Sequence, residues 1–328
     1  MYKETDLFLI PDCRSQAAIT IQNIQSMKVS GFSYMRNSFK YGYPVIESIK
    51  SILPICDEFI AVVGKSDDGT REAIEAIGSD KIRIIDTVWD DAMIEGGKIF
   101  AQQANIGLKA ATGDWLFHIQ SDEVFHEQDL PKIKKAMEDH FEDQKVEGFL
   151  FDFLHFIGDY KHIGTTRKWH RREIRIIRNN PTYYSYKDSQ GFRSYPSLSD
   201  YQNNTNSRKL NVKWIDAKIF HYSYCRNPDL LLGKVKRFSS YYQSEEKTIE
   251  QYKSYETFDF SSVADILAPF NEPHPAAMRE TIAAQDWVFR HNPNKIDLSP
   301  RRMFLHRIEM ITGWRIGEYK NYKILPDK

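Results

Sequence analysis

The first third of this 328-residue chain alternates short apolar runs with segments of helical periodicity, which limits the fold more than any other feature. The apolar runs begin near Met27, Glu58, Lys81 and Asp114, and each has the length and side-chain pattern of a strand. A helical segment lies between each run and the next. Because strands separated by single helices form βαβ units, the pattern predicts an α/β fold with a mostly parallel central sheet.

Polar clusters follow three of the predicted strands, at Arg36-Asn37, at 66–70 and at 120–123. Ligands of parallel α/β sheets bind beyond the carboxyl ends of the strands, where these clusters are expected to meet. The third cluster, "QSDE", has two carboxylates directly after an apolar strand. Such carboxylates either hold Mg²⁺ or Mn²⁺ through their oxygens or belong to a solvated turn.

Composition excludes some classes of protein. Lys plus Arg and Asp plus Glu both number 45, and a chain without net charge is not typical of a nucleic-acid binder. The three cysteines lack metal-site spacing and fit a reducing, cytoplasmic location. The start of the chain lacks the pattern of a signal peptide, and no apolar run reaches the roughly 18 residues of a membrane span. Peripheral association with a membrane stays open.

The run from Met27 to about Leu130 resembles the family 2 glycosyltransferases of the GT-A fold, in their bacterial form. The resemblance is carried by "SDDGT" (66–70), "GGKIFAQQANIGLKAATGDW" (96–115) and "FHIQSDEVFHEQD" (117–129). It implies a GT-A-type nucleotide-binding sandwich and a UDP- or GDP-sugar donor. It also implies Mn²⁺ or Mg²⁺ as cofactor and a glycan or another hydroxyl compound as acceptor.

The acidic motif is carried over position by position. Asp122 occupies the position of the family's metal-binding aspartate, with Glu123 beside it. Gln120 replaces the aspartate that usually contacts the ribose of the donor, and its amide can still hydrogen-bond a hydroxyl. Asp68 matches the aspartate of the family's "DGT" loop.

Two family positions differ in this chain. The base-reading aspartate falls at Val63 or Gly64, and the arginine before the helix asparagine falls at Ala104. Lys98, at a helix start where a pyrophosphate is favoured, is a candidate replacement for that arginine, or else an ordinary surface lysine. The complete set of donor-binding candidates is Tyr34, Arg36, Asn37, Ser66, Asp68, Lys98, Gln120 and Ser121.

Further candidates come from the second half of the chain. An inverting transferase needs a carboxylate that deprotonates the acceptor, and Asp188 is the first candidate, with Glu173 second. The alternatives are an Asx-turn at Asp188 and a salt bridge at Glu173. His221 is a candidate second metal ligand or a packed histidine. Arg193 and Arg226 are candidates to neutralise the leaving diphosphate or a phosphorylated acceptor.

These features predict an N-terminal extension (1–26), a GT-A catalytic domain (27–225) and a mainly helical C-terminal region (226–328). Within the catalytic domain, 181–209 is predicted to be a polar, aromatic loop. The predicted activity is a metal-dependent, inverting sugar transfer. A sugar-1-phosphate nucleotidyltransferase is one alternative, although its Gly-rich loop is missing after the first strand. A catalytically inactive sugar-binding module is the other, suggested by Gln120.

Overall fold

The structure of the protein is a computed structural model that describes residues 26–90, 93, 96–292, 296 and 298–326. The predicted N-terminal extension lies outside these residues, apart from Ser26. The first half of the fold alternates as predicted. Its elements are β1 (Val29–Met35), α1 (Val45–Ile52), β2 (Glu58–Gly64), α2 (Thr70–Glu75), β3 (Ile82–Thr87), α3 (Lys98–Ala110) and β4 (Trp115–His118).

These four strands form a parallel sheet in the order β3-β2-β1-β4. Helices cover both faces. Ile49 and Ile52 of α1 pack in the core on one face, and Leu108 of α3 packs with Phe32 and Ile60 on the other. The predicted α/β class is therefore confirmed, and the carboxyl ends of β1, β2 and β4 meet at one edge of the sheet.

The sheet continues beyond β4 with strands of mixed direction. The strand β11 pairs in parallel with β6 and antiparallel with β5, which places His221 opposite Glu123. The elements of this part are β5 (Glu123–Phe125), α4 (Leu130–Asp139), β6 (Gly148–Ile157), β7 (His162–Gly164), β8 (Arg172–Arg178), β9 (Tyr183–Tyr186), β10 (Gly191–Ser194), α5 (Leu198–Asn203) and β11 (Arg208–Tyr224).

The prediction of a loop over 181–209 is wrong. Its first half is the antiparallel hairpin of β9 and β10, and α5 follows. In β9, Tyr183, Ser185 and Tyr186 are buried, so the aromatic residues build a strand. In the connection between β9 and β10, Lys187 (φ 54°) and Ser189 (φ 67°) adopt the left-handed conformation. Glycine, the usual residue for this conformation, occupies neither position. Asp188 lies between them at the tip.

The C-terminal region has helices separated by irregular segments, and it also contributes two short strands. The strand β13 joins the central sheet beside β11, and β12 pairs with β7. No helix in the described part of the chain is both long and apolar enough to cross a bilayer. The elements are α6 (Pro228–Ser239), α7 (Glu245–Tyr252), β12 (Leu267–Pro269), α8 (Arg279–Ala283), α9 (Pro300–Thr312) and β13 (Tyr322–Ile324).

Candidate active site

A cavity of about 590 Å³ opens at the carboxyl ends of β1 and β4. The β9–β10 hairpin, α6 and the segment before β8 form its other walls. Its size is in the range of small-molecule sites, about 300–1,000 Å³. Nine of the fourteen predicted site residues line it: Tyr34, Arg36, Asn37, Gln120, Ser121, Asp122, Glu173, Asp188 and His221.

Two predicted donor-binding residues instead hold the loops at the cavity edge. The Ser66 hydroxyl accepts a hydrogen bond from the Asn37 backbone N–H at 3.0 Å. The carboxylate of Asp68 accepts from the backbone N–H groups of Thr70 at 3.1 Å and Lys40 at 2.9 Å. Ser66 and Asp68 therefore fasten the loop after β2 to the loop after β1, and neither lines the cavity.

At Gly64, one of the two positions where the family's base-reading aspartate was expected, an aromatic ring fills the space of a side chain. A Cβ atom on Gly64 would lie 2.4 Å from the Trp89 indole nitrogen, so no side chain fits there. Trp89 lines the cavity, and the Arg36 guanidinium carbon lies 5.7 Å from the centre of its ring. Lys98, the predicted phosphate contact, is exposed and is not a lining residue.

Asp122 is buried between basic side chains. Lys234 Nζ lies 3.3 Å and Arg226 Nη2 3.7 Å from its Oδ2, and His221 Nε2 lies 3.8 Å from its Oδ1. Burial acts to raise the pKa of Asp122, but these neighbours hold it below its ordinary value. Burial and Arg226 in turn lower the pKa of Lys234 to about 7. Asp122 is therefore ionised at neutral pH.

A chain of hydrogen bonds fixes the tautomer of His221. His155 Nε2 lies 2.7 Å from the His170 carbonyl oxygen, which can only accept, so this nitrogen carries the proton. Burial lowers the pKa of His155 to about 4 and that of His221 well below its ordinary value, so both rings are neutral. His155 Nδ1 therefore accepts the proton of His221 Nδ1 at 2.8 Å. The lone pair of His221 Nε2 is left facing Asp122.

This arrangement fits a divalent cation. An imidazole lone pair and a carboxylate oxygen face each other, and an outer histidine orients the ligand, as in metal sites. Asp122 and His221 would hold the ion, with donor phosphates and water completing its shell. No cluster of three or more His, Cys, Asp or Glu side chains suited to a metal occurs in the described residues. Glu123 is excluded as a ligand because both its oxygens bind Arg175, at 2.6 and 2.7 Å.

The two carboxylate oxygens of Asp188 differ in their contacts. The Tyr242 hydroxyl donates to Oδ2 at 2.6 Å, while Oδ1 is buried and has no hydrogen-bond partner among the described residues. A Cβ on Gly97 would lie 2.7 Å from the Tyr242 hydroxyl and 2.8 Å from Asp188 Cβ, so this contact requires glycine. A carboxylate held in this way inside the cavity can accept a proton from a bound hydroxyl.

Gln120 contacts the hairpin that bears Asp188. Its amide nitrogen donates to the Ser189 carbonyl at 3.2 Å. The residue lines the cavity as expected, but its donor group is engaged by the neighbour of Asp188. This contact links the end of β4 to the hairpin.

Of the remaining predicted residues Glu173, Arg193 and Arg226, only Glu173 lines the cavity. Its buried Oε2 has no hydrogen-bond partner within the described ranges. Burial raises the pKa of Glu173 to about 8 against the effect of Arg175. It therefore holds a proton at neutral pH. Arg193 lies outside the cavity, where it donates to Asn321 at 2.6 Å. Arg226 is also absent from the lining and contacts the site through Asp122.

Two side chains that contact the candidate site residues were not predicted from the sequence: His155 and Tyr242. His155 and Tyr242 reach the site only through tertiary packing, so nothing local in the sequence marks them.

The sequence model of glycosyl transferase family 2 matches residues 34–197, half of the chain. The chain belongs to glycosyl transferase family 2. The match includes the cavity residues that follow β1 and β4 and those of the β9–β10 hairpin. No curated protein sequence matches the chain.

The chain is similar to several solved structures, among them the three that follow. S. aureus TarS 1-349 in complex with UDP-GlcNAc is 14% identical over 70% of this chain and 73% of that one, with a TM-score of 0.39. The mannosyltransferase PcManGT from Pyrobaculum calidifontis, with GDP-Man and Mn²⁺, is 20% identical over 37% and 34%, with a TM-score of 0.29. Glucosyl-3-phosphoglycerate synthase from Mycobacterium tuberculosis is 18% identical over 40% and 44%, with a TM-score of 0.28. The chain spans 44% of the longer TarS structure.

Proposed function

We propose that this member of glycosyl transferase family 2 transfers a sugar from a UDP- or GDP-sugar to a hydroxyl acceptor, with inversion at the anomeric carbon. The observation that carries the proposal is the carboxylate of Asp188. Asp188 lines the same cavity as Asp122, Tyr242 binds one of its oxygens at 2.6 Å, and the other oxygen is buried without a partner among the residues that the structure describes.

Asp188 is the proposed general base. Its Oδ1 accepts the proton of the acceptor hydroxyl while that oxygen attacks the anomeric carbon. The bond between the anomeric carbon and the donor phosphate breaks, and the nucleoside diphosphate leaves with the bonding electrons. Attack from the side opposite the phosphate inverts the configuration. Glu173 is the weaker candidate, because its pKa near 8 leaves it protonated at neutral pH.

Negative charge accumulates on the leaving diphosphate and must be stabilised there. Lys234 lies at the cavity wall beside Asp122 and, in its protonated form, is the proposed contact for a phosphate oxygen. A divalent cation held by Asp122 and His221 would supply further positive charge at the same phosphate oxygens. Arg226, buried behind Asp122, keeps this carboxylate ionised and in place.

Trp89, Arg36 and Asn37 are the proposed contacts for the nucleotide base and ribose. All three line the cavity at the end formed by the loops after β1 and β3. Trp89 replaces the missing base-reading carboxylate as a flat surface, and aromatic rings stack on bases of any identity. We therefore expect this protein to discriminate between nucleotide bases less strictly than a transferase in which an aspartate hydrogen-bonds the base.

The experiment is nucleotide release from UDP-, GDP- and CDP-sugars, with and without EDTA, followed by NMR of the anomeric configuration of the product. Release that requires a divalent cation, from a UDP- or GDP-sugar, supports the proposal. Absence of release from every donor would indicate the alternative of an inactive sugar-binding module. Retention of configuration would exclude the single displacement by Asp188.

A further inference from the structure

The helix α9 and Trp314, two residues after its end, expose several large apolar side chains. The exposed fractions are 64% for Phe304, 67% for Met310, 85% for Ile311 and 65% for Trp314. Phe304 and Ile311 are seven residues apart, so they lie two turns apart on one face of the helix. Single exposed apolar residues are ordinary, but a group of them on one helix marks an interaction surface.

The charges of α9 are strongly biased towards positive. The helix carries Arg301, Arg302 and Arg307 but only one acid, Glu309. That carboxylate already contacts Arg315 at 2.6 Å and Arg167 at 3.2 Å. Arg301 and Arg302 are exposed and form no ion pair with any residue that the structure describes. Among the described residues, the helix therefore carries an excess of positive charge next to its apolar face.

A second cavity, of about 580 Å³, lies at the start of α9. Four basic side chains line it (Arg167, Lys168, Arg301 and Arg302), and its described lining contains no acid. His306 also lines it, and this buried side chain has an Nδ1 atom without a partner in the described part of the chain. Forked arginine side chains suit the oxygens of a phosphate group, and an imidazole Nδ1 in the tautomer that carries the proton can donate to them.

We propose that α9 binds the surface of an anionic lipid bilayer. Lipid phosphate groups occupy the basic cavity, and Phe304, Ile311 and Trp314 enter the interface between headgroups and acyl chains. Basic residues combined with Trp, Phe and aliphatic residues on one helix are typical of helices that lie in this interface. A second copy of the chain is a poorer occupant, because a symmetric contact would bring arginines against arginines.

The position of this surface relates it to the donor site. Arg167 and Lys168 line both cavities, so the phosphate site adjoins the cavity that contains Asp188. A bilayer on α9 would bring an acceptor at the membrane surface next to the donor cavity. The lipid-binding proposal itself does not depend on sugar transfer, because its test measures binding alone.

The test is co-sedimentation of the full chain with vesicles of phosphatidylcholine, with and without phosphatidylglycerol. Two double variants change the surface: Phe304→Ser with Ile311→Ser, and Arg301→Ala with Arg302→Ala. Matched controls change exposed residues elsewhere: Val88→Ser with Leu198→Ser, and Lys50→Ala with Lys134→Ala. The side chains changed in these four pairs are all exposed, so the variants should keep the fold. Thermal unfolding checks this.

We expect the wild type and both controls to bind only the vesicles that contain phosphatidylglycerol. Each α9 variant should bind them at least about tenfold more weakly. Failure of the wild type to bind anionic vesicles, or equal binding by the α9 variants, would overturn the proposal. Analytical ultracentrifugation that shows a dimer, lost in Phe304→Ser with Ile311→Ser, together with no vesicle binding would assign the face to a second copy and also overturn it.

Discussion

The Tyr242 hydroxyl donates to Oδ2 of Asp188 at 2.6 Å, whereas the buried Oδ1 has no hydrogen-bond partner in the described part of the chain. We predict that Tyr242→Phe lowers kcat by roughly tenfold, because the base loses its orientation but stays in place. Donor affinity should not change. The measurement is steady-state kinetics with the best donor.

Tyr252→Phe is the matched control for this change. Tyr252 shares a hydrogen bond of 3.0 Å with Ser239 and lies outside the cavity lining. The Tyr252→Phe variant loses a tyrosine hydroxyl as Tyr242→Phe does, but this hydroxyl does not contact Asp188. The kcat of Tyr252→Phe should therefore equal that of the wild type. Equal losses in the two variants would mean that Tyr242 has no specific role.

Gln120 provides a second test, because two roles predict different kinetics. If its amide orients the hairpin through the Ser189 carbonyl, Gln120→Ala lowers kcat by about tenfold to a hundredfold and leaves donor affinity unchanged. If instead Gln120 binds the ribose, the variant weakens donor binding. Titration calorimetry with the nucleotide separates the two, with Gln128→Ala, an exposed glutamine, as control.

His155 should influence metal affinity without touching the metal. Its hydrogen bond to His221 fixes the ring nitrogen that faces Asp122, and loss of such outer contacts typically costs about tenfold to a hundredfold in metal affinity. We therefore predict that His155→Phe weakens Mn²⁺ binding by that factor, measured by electron paramagnetic resonance in the presence of UDP.

His274→Phe is the control for His155. His274 also makes two hydrogen bonds through its ring, to Tyr160 and Tyr222, but it lies outside the cavity lining. Its replacement should leave Mn²⁺ affinity unchanged. An unaltered affinity in His155→Phe would show that the histidine chain does not orient His221.

Glu173 makes stability depend on pH. Burial raises its pKa from 4.5 to about 8, so the folded protein holds this proton more tightly than the unfolded chain. The free energy of unfolding therefore falls as pH rises between those values, by at most about 1.4 kcal/mol per pH unit from this group. Glu173→Gln should remove this part of the slope.

Urea unfolding from about pH 5 to about pH 8 measures the slope of the free energy. Glu256→Gln, at an exposed position, should keep the slope of the wild type. A wild-type slope that Glu173→Gln does not change would mean that Glu173 is ionised in the folded protein. Glu173 would then become an equal candidate for the general base.

The N-terminal half of the fold could be predicted because its signals are local. Each strand from β1 to β4 is a short apolar run, and each connection contains a helix with its own periodicity. The hairpin could not be predicted in this way. The turn at Lys187 and Ser189 uses the left-handed conformation without glycine, and "YYSY" does not alternate apolar and polar residues.

The candidate site was predicted best where one side chain follows a strand, as for Asp122. Contacts between distant segments were not predictable. Lys234 approaches Asp122 from 112 residues away, and the partner of the Gln120 amide belongs to the hairpin that was expected to be a loop. Asp68 and Ser66 have the residue types of a donor site but bind backbone groups instead, which depends on how two loops pack.

The most direct test of the central claim is the rate of sugar transfer by Asp188→Asn, with donor affinity measured alongside. The substitution keeps the size of the side chain and the contact with Tyr242 but removes the proton acceptor. We predict a loss of about 10²- to 10⁴-fold in kcat, with unchanged donor affinity. A variant that transfers sugar at the wild-type rate would contradict the assignment of Asp188 as the base.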